Sequence, residues 1–75
     1  MTKHIPLNVL ELVGISDNQT VREAIEASLD NAALIDELGF KRLWFAEHHN
    51  TRSLASAATS QLIAMAAART KNIRV

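Results

Sequence analysis

Seventy-five residues, 48% of them apolar and with eight basic side chains against eight acidic ones, describe one small domain near the lower limit of what a single core sustains. The absence of cysteine excludes disulfides, thiolate metal centres and thiol nucleophiles. A net charge of zero argues against general nucleic-acid binding, which needs a basic excess or stripe. Met1 to Pro6 contain no apolar signal core, and no window nears the ~18 apolar residues of a membrane span. The expectation is a cytoplasmic chain with neither membrane nor nucleic acid as partner.

Pro6 to Val13 is short and aliphatic and opens on a proline, which suits a strand start or edge, and is read as the first strand. Gly14 to Gln19 supplies turn formers. Thr20 and Glu23 then have the spacing of a capping box, where each side chain satisfies a free amide at a helix start. Val21, Ala24, Ile25, Leu29, Ala32, Ile35 and Leu38 recur at three- and four-residue steps, so a helix runs to Gly39, the residue type best able to close it. Phe40 to Ala46 barely alternates, which predicts a second strand covered on both faces, as in parallel sheets. An Ala-rich helix follows from about Ser56 to Arg69. Ile73-Arg74-Val75 opens a third strand. The order strand, helix, strand, helix, strand implies parallel strands joined by right-handed crossovers.

Glu47-His48-His49-Asn50 directly follows the second strand, at the carboxyl edge where α/β folds place their chemistry. Histidine exchanges a proton near neutral pH, an adjacent carboxylate can orient it, and Asn50 can bond to loop backbone or ligand. Strand alternation puts His48 on a face with Trp44 and Ala46, and His49 with Phe45 and Glu47, so one histidine and not both faces a site. Composition alone favours two solvated loop histidines. A metal site is disfavoured, because adjacent histidines diverge and the His-Glu-x-x-His spacing is absent. His4 is read as exposed, Trp44 as core rather than a stacking platform, and Arg52 as solvated rather than phosphate-binding. Glu11 divides evenly between lining a site at the same sheet edge and facing water. Ala55 to Ser60 reads as tight small-residue packing rather than an anion cradle, since it lacks a glycine-rich loop.

Leu38 to Asn50, Leu-Gly-Phe-Lys-Arg-Leu-Trp-Phe-Ala-Glu-His-His-Asn, resembles the bacterial luciferase-like flavin monooxygenases, whose members carry a Leu-Gly-aromatic helix end, a tryptophan-bearing strand and Glu-His-His at its close. Val9-Leu10-Glu11-Leu12 looks like the family's first strand, Ser53 to Ala58 like its small-residue loop, and Thr70 to Val75 like its approach to strand three. The resemblance implies an α/β fold, the N-terminal β-α-β-α-β portion of a (β/α)8 TIM barrel, with residues 1–75 forming the first two strand-helix units and the start of strand three. It further implies reduced FMN as cofactor, oxygen and a small organic substrate such as an aldehyde as reactants, and a flavin reductase as partner; homo-oligomerisation is expected separately, from unpaired parallel edges and apolar helix faces. Deazaflavin-using relatives commonly show a different acidic-His pattern at this point. On this resemblance His48 is the catalytic histidine and Glu47 positions the loop or lines the substrate or cofactor site; Glu11 and Asn50 are the further lining candidates from the residues themselves, and no metal is expected.

A complete barrel takes about 250 residues, so residues 1–75 are expected neither to bind FMN tightly nor to turn over alone. The alternative is a small self-associating βαβ interaction module without catalysis.

Overall fold

The computed structural model describes residues 5–75, so the reading of His4 lies outside the described residues. The elements run β1 (Asn8–Glu11), α1 (Val21–Glu37), β2 (Arg42–Phe45) and α2 (Thr59–Arg69). The two strands pair in parallel, Asn8 beside Arg42 through Glu11 beside Phe45. A third segment joins the far side of β2 through a parallel bridge between Arg42 and Arg74. Its bonds are Leu43 N–H to Arg74 O at 2.7 Å and Arg74 N–H to Lys41 O at 3.2 Å. The expected third strand is therefore present as its first bridge.

α1 begins as its spacing dictates. Thr20 Oγ1 accepts from the Glu23 amide at 3.1 Å, and Glu23 Oε1 accepts from the Thr20 amide at 2.8 Å. This reciprocal pair satisfies two amides that a helix start leaves free. Its buried residues are Ala24, Ser28, Leu29, Ala32 and Ile35, one face of a 3.6-residue period. Val21 and Leu38, expected on that face, stand exposed at the helix ends. Gly39 closes the helix at φ 87°, a conformation that suits glycine.

Both strands and the second helix are shorter than the sequence predicts, β2 spanning Arg42–Phe45 within the expected Phe40 to Ala46. β1 ends at Glu11 because Val13 takes a positive φ of 52°, which no strand accommodates. α2 starts at Thr59 rather than near Ser56, because residues 55–57 form a turn in which Ala57 N–H reaches Ala55 O at 3.0 Å.

Leu43 of β2 packs with Leu29, Ala32, Ile35, Ala66 and Ile73, flanked by Val9 and Phe45. Both helices thus cover one face of the sheet. The opposite face is open: Leu10 is 62% exposed and its neighbour Trp44 53%. The expectation of a strand covered on both faces, with Trp44 in the core, does not hold here. Two strands with two helices supply only one covering layer, and no described residue lies over the other face.

Asp36, near the end of α1, ties the third segment to the rest. Its carboxylate accepts from the amides of Lys71 at 2.8 Å, Asn72 at 2.9 Å and Ile73 at 2.8 Å. These three backbone bonds, Lys71 first, hold its carboxyl below the ordinary aspartate range. A lowered native pKa contributes stability above the unfolded-state value, and that contribution is lost as pH falls through the native one.

Leu43→Ala is expected to cost about 2–5 kcal/mol in urea unfolding, from lost burial and a residual cavity. For Asp36→Asn, the loss of urea midpoint between about pH 7 and about pH 2 should be smaller than in the parent chain, since the substituted side chain does not titrate. Equal losses in both would refute the role given to Asp36.

Candidate functional site

Past the carboxyl ends of both strands, two loops are stapled together. Ala55 N–H donates to Val13 O at 2.9 Å and Ile15 N–H to Ser53 O at 2.8 Å, around an antiparallel bridge between Gly14 and Leu54. Val13 anchors this junction. It is fully buried, and its left-handed backbone costs about 1–3 kcal/mol for a β-branched residue unless its surroundings over-determine it. They do: its carbonyl takes the Ala55 amide, and its own amide donates to Glu11 Oε2 at 3.0 Å. Glu11 is half-buried at the sheet edge and spends one carboxylate oxygen on this turn.

The loop after β2 leaves along an extended path. Ala46 N–H donates to Glu11 O at 3.2 Å, continuing the pairing with β1, and His48 N–H donates to Ser56 O at 2.8 Å. Ser56 is fully buried, and its hydroxyl donates to Ala46 O. The side chain of Glu47 turns toward α2. Its Oε1 accepts from Thr59 Oγ1 at 2.8 Å, while its Oε2 lies 2.9 Å from His49 Nε2. Residues two apart in an extended chain share a side, so Glu47 and His49 occupy the helical side and His48 the opposite one, toward the open face of Leu10 and Trp44. The His48 side chain is exposed.

Glu47 also occupies the start of α2, which has no side-chain cap of its own. A carboxylate there is favoured by the free amides and the helix dipole. The carboxyl is held below the ordinary glutamate range, chiefly by the His49 hydrogen bond, then by Thr59 and by the charge of His49. Asn50 adopts φ 58°, a left-handed conformation that asparagine tolerates better than most residues. That conformation gives Asn50 a turn-forming role.

Sequence reasoning singled out Glu47, His48, Asn50 and Glu11, and the four do gather around one sheet edge. It did not find Ser56, Thr59 or Val13. The only signal for Ser56 was a hydroxyl within a small-residue segment, and Val13 gave none, since nothing in its type marks a positive φ. Among the described residues no cluster of three or more His, Asp or Glu could hold a metal ion, and no helix is long and apolar enough to cross a membrane.

Parallel strands, each followed by a helix and with polar loops gathered at their carboxyl edge, form the repeating unit of α/β proteins such as the strand-helix barrel. Residues 7–75 match the family model of luciferase-like monooxygenases, and the chain belongs to that family. A luciferase-like monooxygenase of Escherichia coli strain K12 is 44% identical over 73 residues, 97% of this chain and 22% of that protein. The N-acetyl-S-alkylcysteine monooxygenase of Bacillus subtilis strain 168 is 32% identical over 71 residues, 95% of this chain and 21% of that protein. The crystal structure of apo-MsnO8 superposes with a TM-score of 0.92 at 39% identity, over 96% of this chain and 22% of that one. The chain thus spans about a fifth of the length of these relatives, and its fold is the βαβα portion, with the opening of a third strand, of the family's TIM barrel.

The Glu47 bridge can be checked directly. Thr59→Val removes one of its two side-chain partners, so the Glu47 carboxyl titration followed by NMR should move up toward the ordinary glutamate value. An unmoved midpoint would show that the Thr59 bond does not act on this carboxylate.

Proposed function

We propose that this chain is the part of an FMN-dependent luciferase-like monooxygenase that carries the catalytic histidine, His48, and one wall of the substrate and cofactor site. The observation that carries the reading is the exposed His48 side chain at the carboxyl edge of a parallel pair, on the side of an open apolar face, in a chain of this family. Its imidazole can donate a hydrogen bond at one ring nitrogen and accept one at the other, or hold a proton. Glu47 and Asn50 border the same site through the loop they shape, and Glu11 borders it from β1.

The described residues suit one part of a flavin better than another. Leu10 and Trp44 offer an apolar surface fit for a flat ring system. The phosphate has no comparable cradle, because the start of α2 already holds the Glu47 carboxylate, whose charge opposes an anion there. When bound, reduced FMN supplies the electrons for activating oxygen. The part of this chain is to present His48, keep its neighbour Glu47 turned away toward α2, and exclude water with the apolar wall. A small organic substrate such as an aldehyde, and a reductase supplying reduced flavin, complete the reading.

On this reading residues 1–75 alone neither grip FMN nor turn over. Titration of the chain with FMN, followed by flavin fluorescence, should show no saturable binding, and a Kd tighter than about 1 µM would overturn this. In a protein of full barrel length carrying the segment, His48→Ala should lower kcat by about 100-fold or more, the scale of a lost acid-base group. Unchanged turnover would remove His48 from the reaction.

The exposed pair Leu10 and Trp44, together with unpaired strand edges, favours homo-oligomerisation of the isolated chain. Light scattering should find species larger than a monomer at high micromolar concentration.

A further inference from the structure

We propose that Ser56 is a positioning residue for His48, an assignment that rests on the catalytic role proposed for that histidine. Ser56 grips the chain on both sides of Glu47: its hydroxyl donates to the Ala46 carbonyl, and its own carbonyl accepts the His48 amide at 2.8 Å. Ala46 is held from the other side as well, its amide donating to Glu11 O at 3.2 Å. Peptide planes bonded at residues 46 and 48 cannot turn over without breaking their hydrogen bonds to the fully buried Ser56. The side of the chain on which His48 emerges is therefore set by Ser56 and not by its own side chain, which is exposed and makes no hydrogen bond among the described residues.

The clamp is itself anchored. Ser56 is fully buried and follows Ala55, whose amide is bound to the carbonyl of the buried, left-handed Val13. Glu11 fastens Val13 in turn, at 3.0 Å. A rigid path thus runs from the end of β1 through Val13, Ala55 and Ser56 to the backbone of His48. Glu11 on this path acts through the backbone of the loop junction. No other described side chain bonds to the backbone of residues 46–48. Loss of the Ser56 hydroxyl would leave the carbonyl of the half-buried Ala46 without this partner and free the loop to rotate. A displacement of about 1 Å at a reacting group can cost about 100-fold in rate.

The first measurement needs no variant. Native-state hydrogen exchange on the chain should find the His48 amide protected at least about 100-fold relative to an unstructured peptide, although its side chain is exposed. Exchange at the free-peptide rate would overturn the clamp. The second uses a protein of full barrel length carrying the segment. Ser56→Ala should lower kcat at least ten-fold, on the order expected for a misplaced catalytic group, with KM for substrate within about twofold of the parent. Ser56→Thr, which restores the hydroxyl, should recover most of kcat. A folded Ser56→Ala protein with parental kcat, while His48→Ala is inactive, would overturn the positioning role alone. Parental turnover in His48→Ala would overturn the role of His48 and this one with it. If Ser56→Ala does not fold, the Ser56→Thr recovery and the His48 exchange rate decide: a folded Ser56→Thr protein with kcat still ten-fold down would overturn the proposal.

Discussion

Parallel pairing of Asn8–Glu11 with Arg42–Phe45 is the constraint on which everything else depends. Parallel strands cannot be joined by a tight turn, so the chain must return through a crossover, and α1 is that crossover. Because α1 and α2 both pack on the Leu43 face, the other face of the sheet is left to Leu10 and Trp44. Because both strands point the same way, their carboxyl ends fall together and bring the loops after them into contact. The candidate site is a direct consequence of that direction.

The two loops could have been independent, and they are not. Two bonds join them, Ala55 to Val13 and Ile15 to Ser53, while the Glu11 carboxylate on the Val13 amide and the double grip of Ser56 each fix one loop internally. The strain of a left-handed valine is tolerated because each of its backbone groups is satisfied and its side chain is fully buried. Such a rigid loop pair is what a barrel requires of the residues it presents to chemistry, since positioned groups act only within a narrow geometry. Glu47 contributes by moving the opposite way. Its bonds to Thr59 and His49 draw it to the helical side and leave His48 alone on the open side.

Asp36 plays the same part at the other end of the sheet. One carboxylate accepts three consecutive backbone amides, from Lys71 to Ile73, and so delivers the third segment to β2 in register. Charge-assisted bonds of this kind are stronger than neutral ones, which suits a junction where only one ladder bridge is present to hold the segment.

Much of this was legible in the order of residue types. Thr20 and Glu23 announce the start of α1, Gly39 its end, the three- and four-residue steps between them the buried face, and the alternation of helical and strand patterns the parallel sheet. The Glu47-His48-His49 run after a tryptophan-bearing strand marked both the family and the sheet edge at which the candidate site lies. These features are local, and local patterns determine local structure by capping, period and backbone freedom. Tertiary structure alone decided that Trp44 is exposed, because burial depends on how many layers cover a strand. It alone decided that Val13 turns left-handed, that Glu11 is spent on that turn, and that Ser56, eight residues beyond His48, holds its backbone. Those contacts depend on how the loops fold back, above all on the pairing of Val13 with Ala55, and a hydrogen bond across a folded loop leaves no periodicity by which to read it.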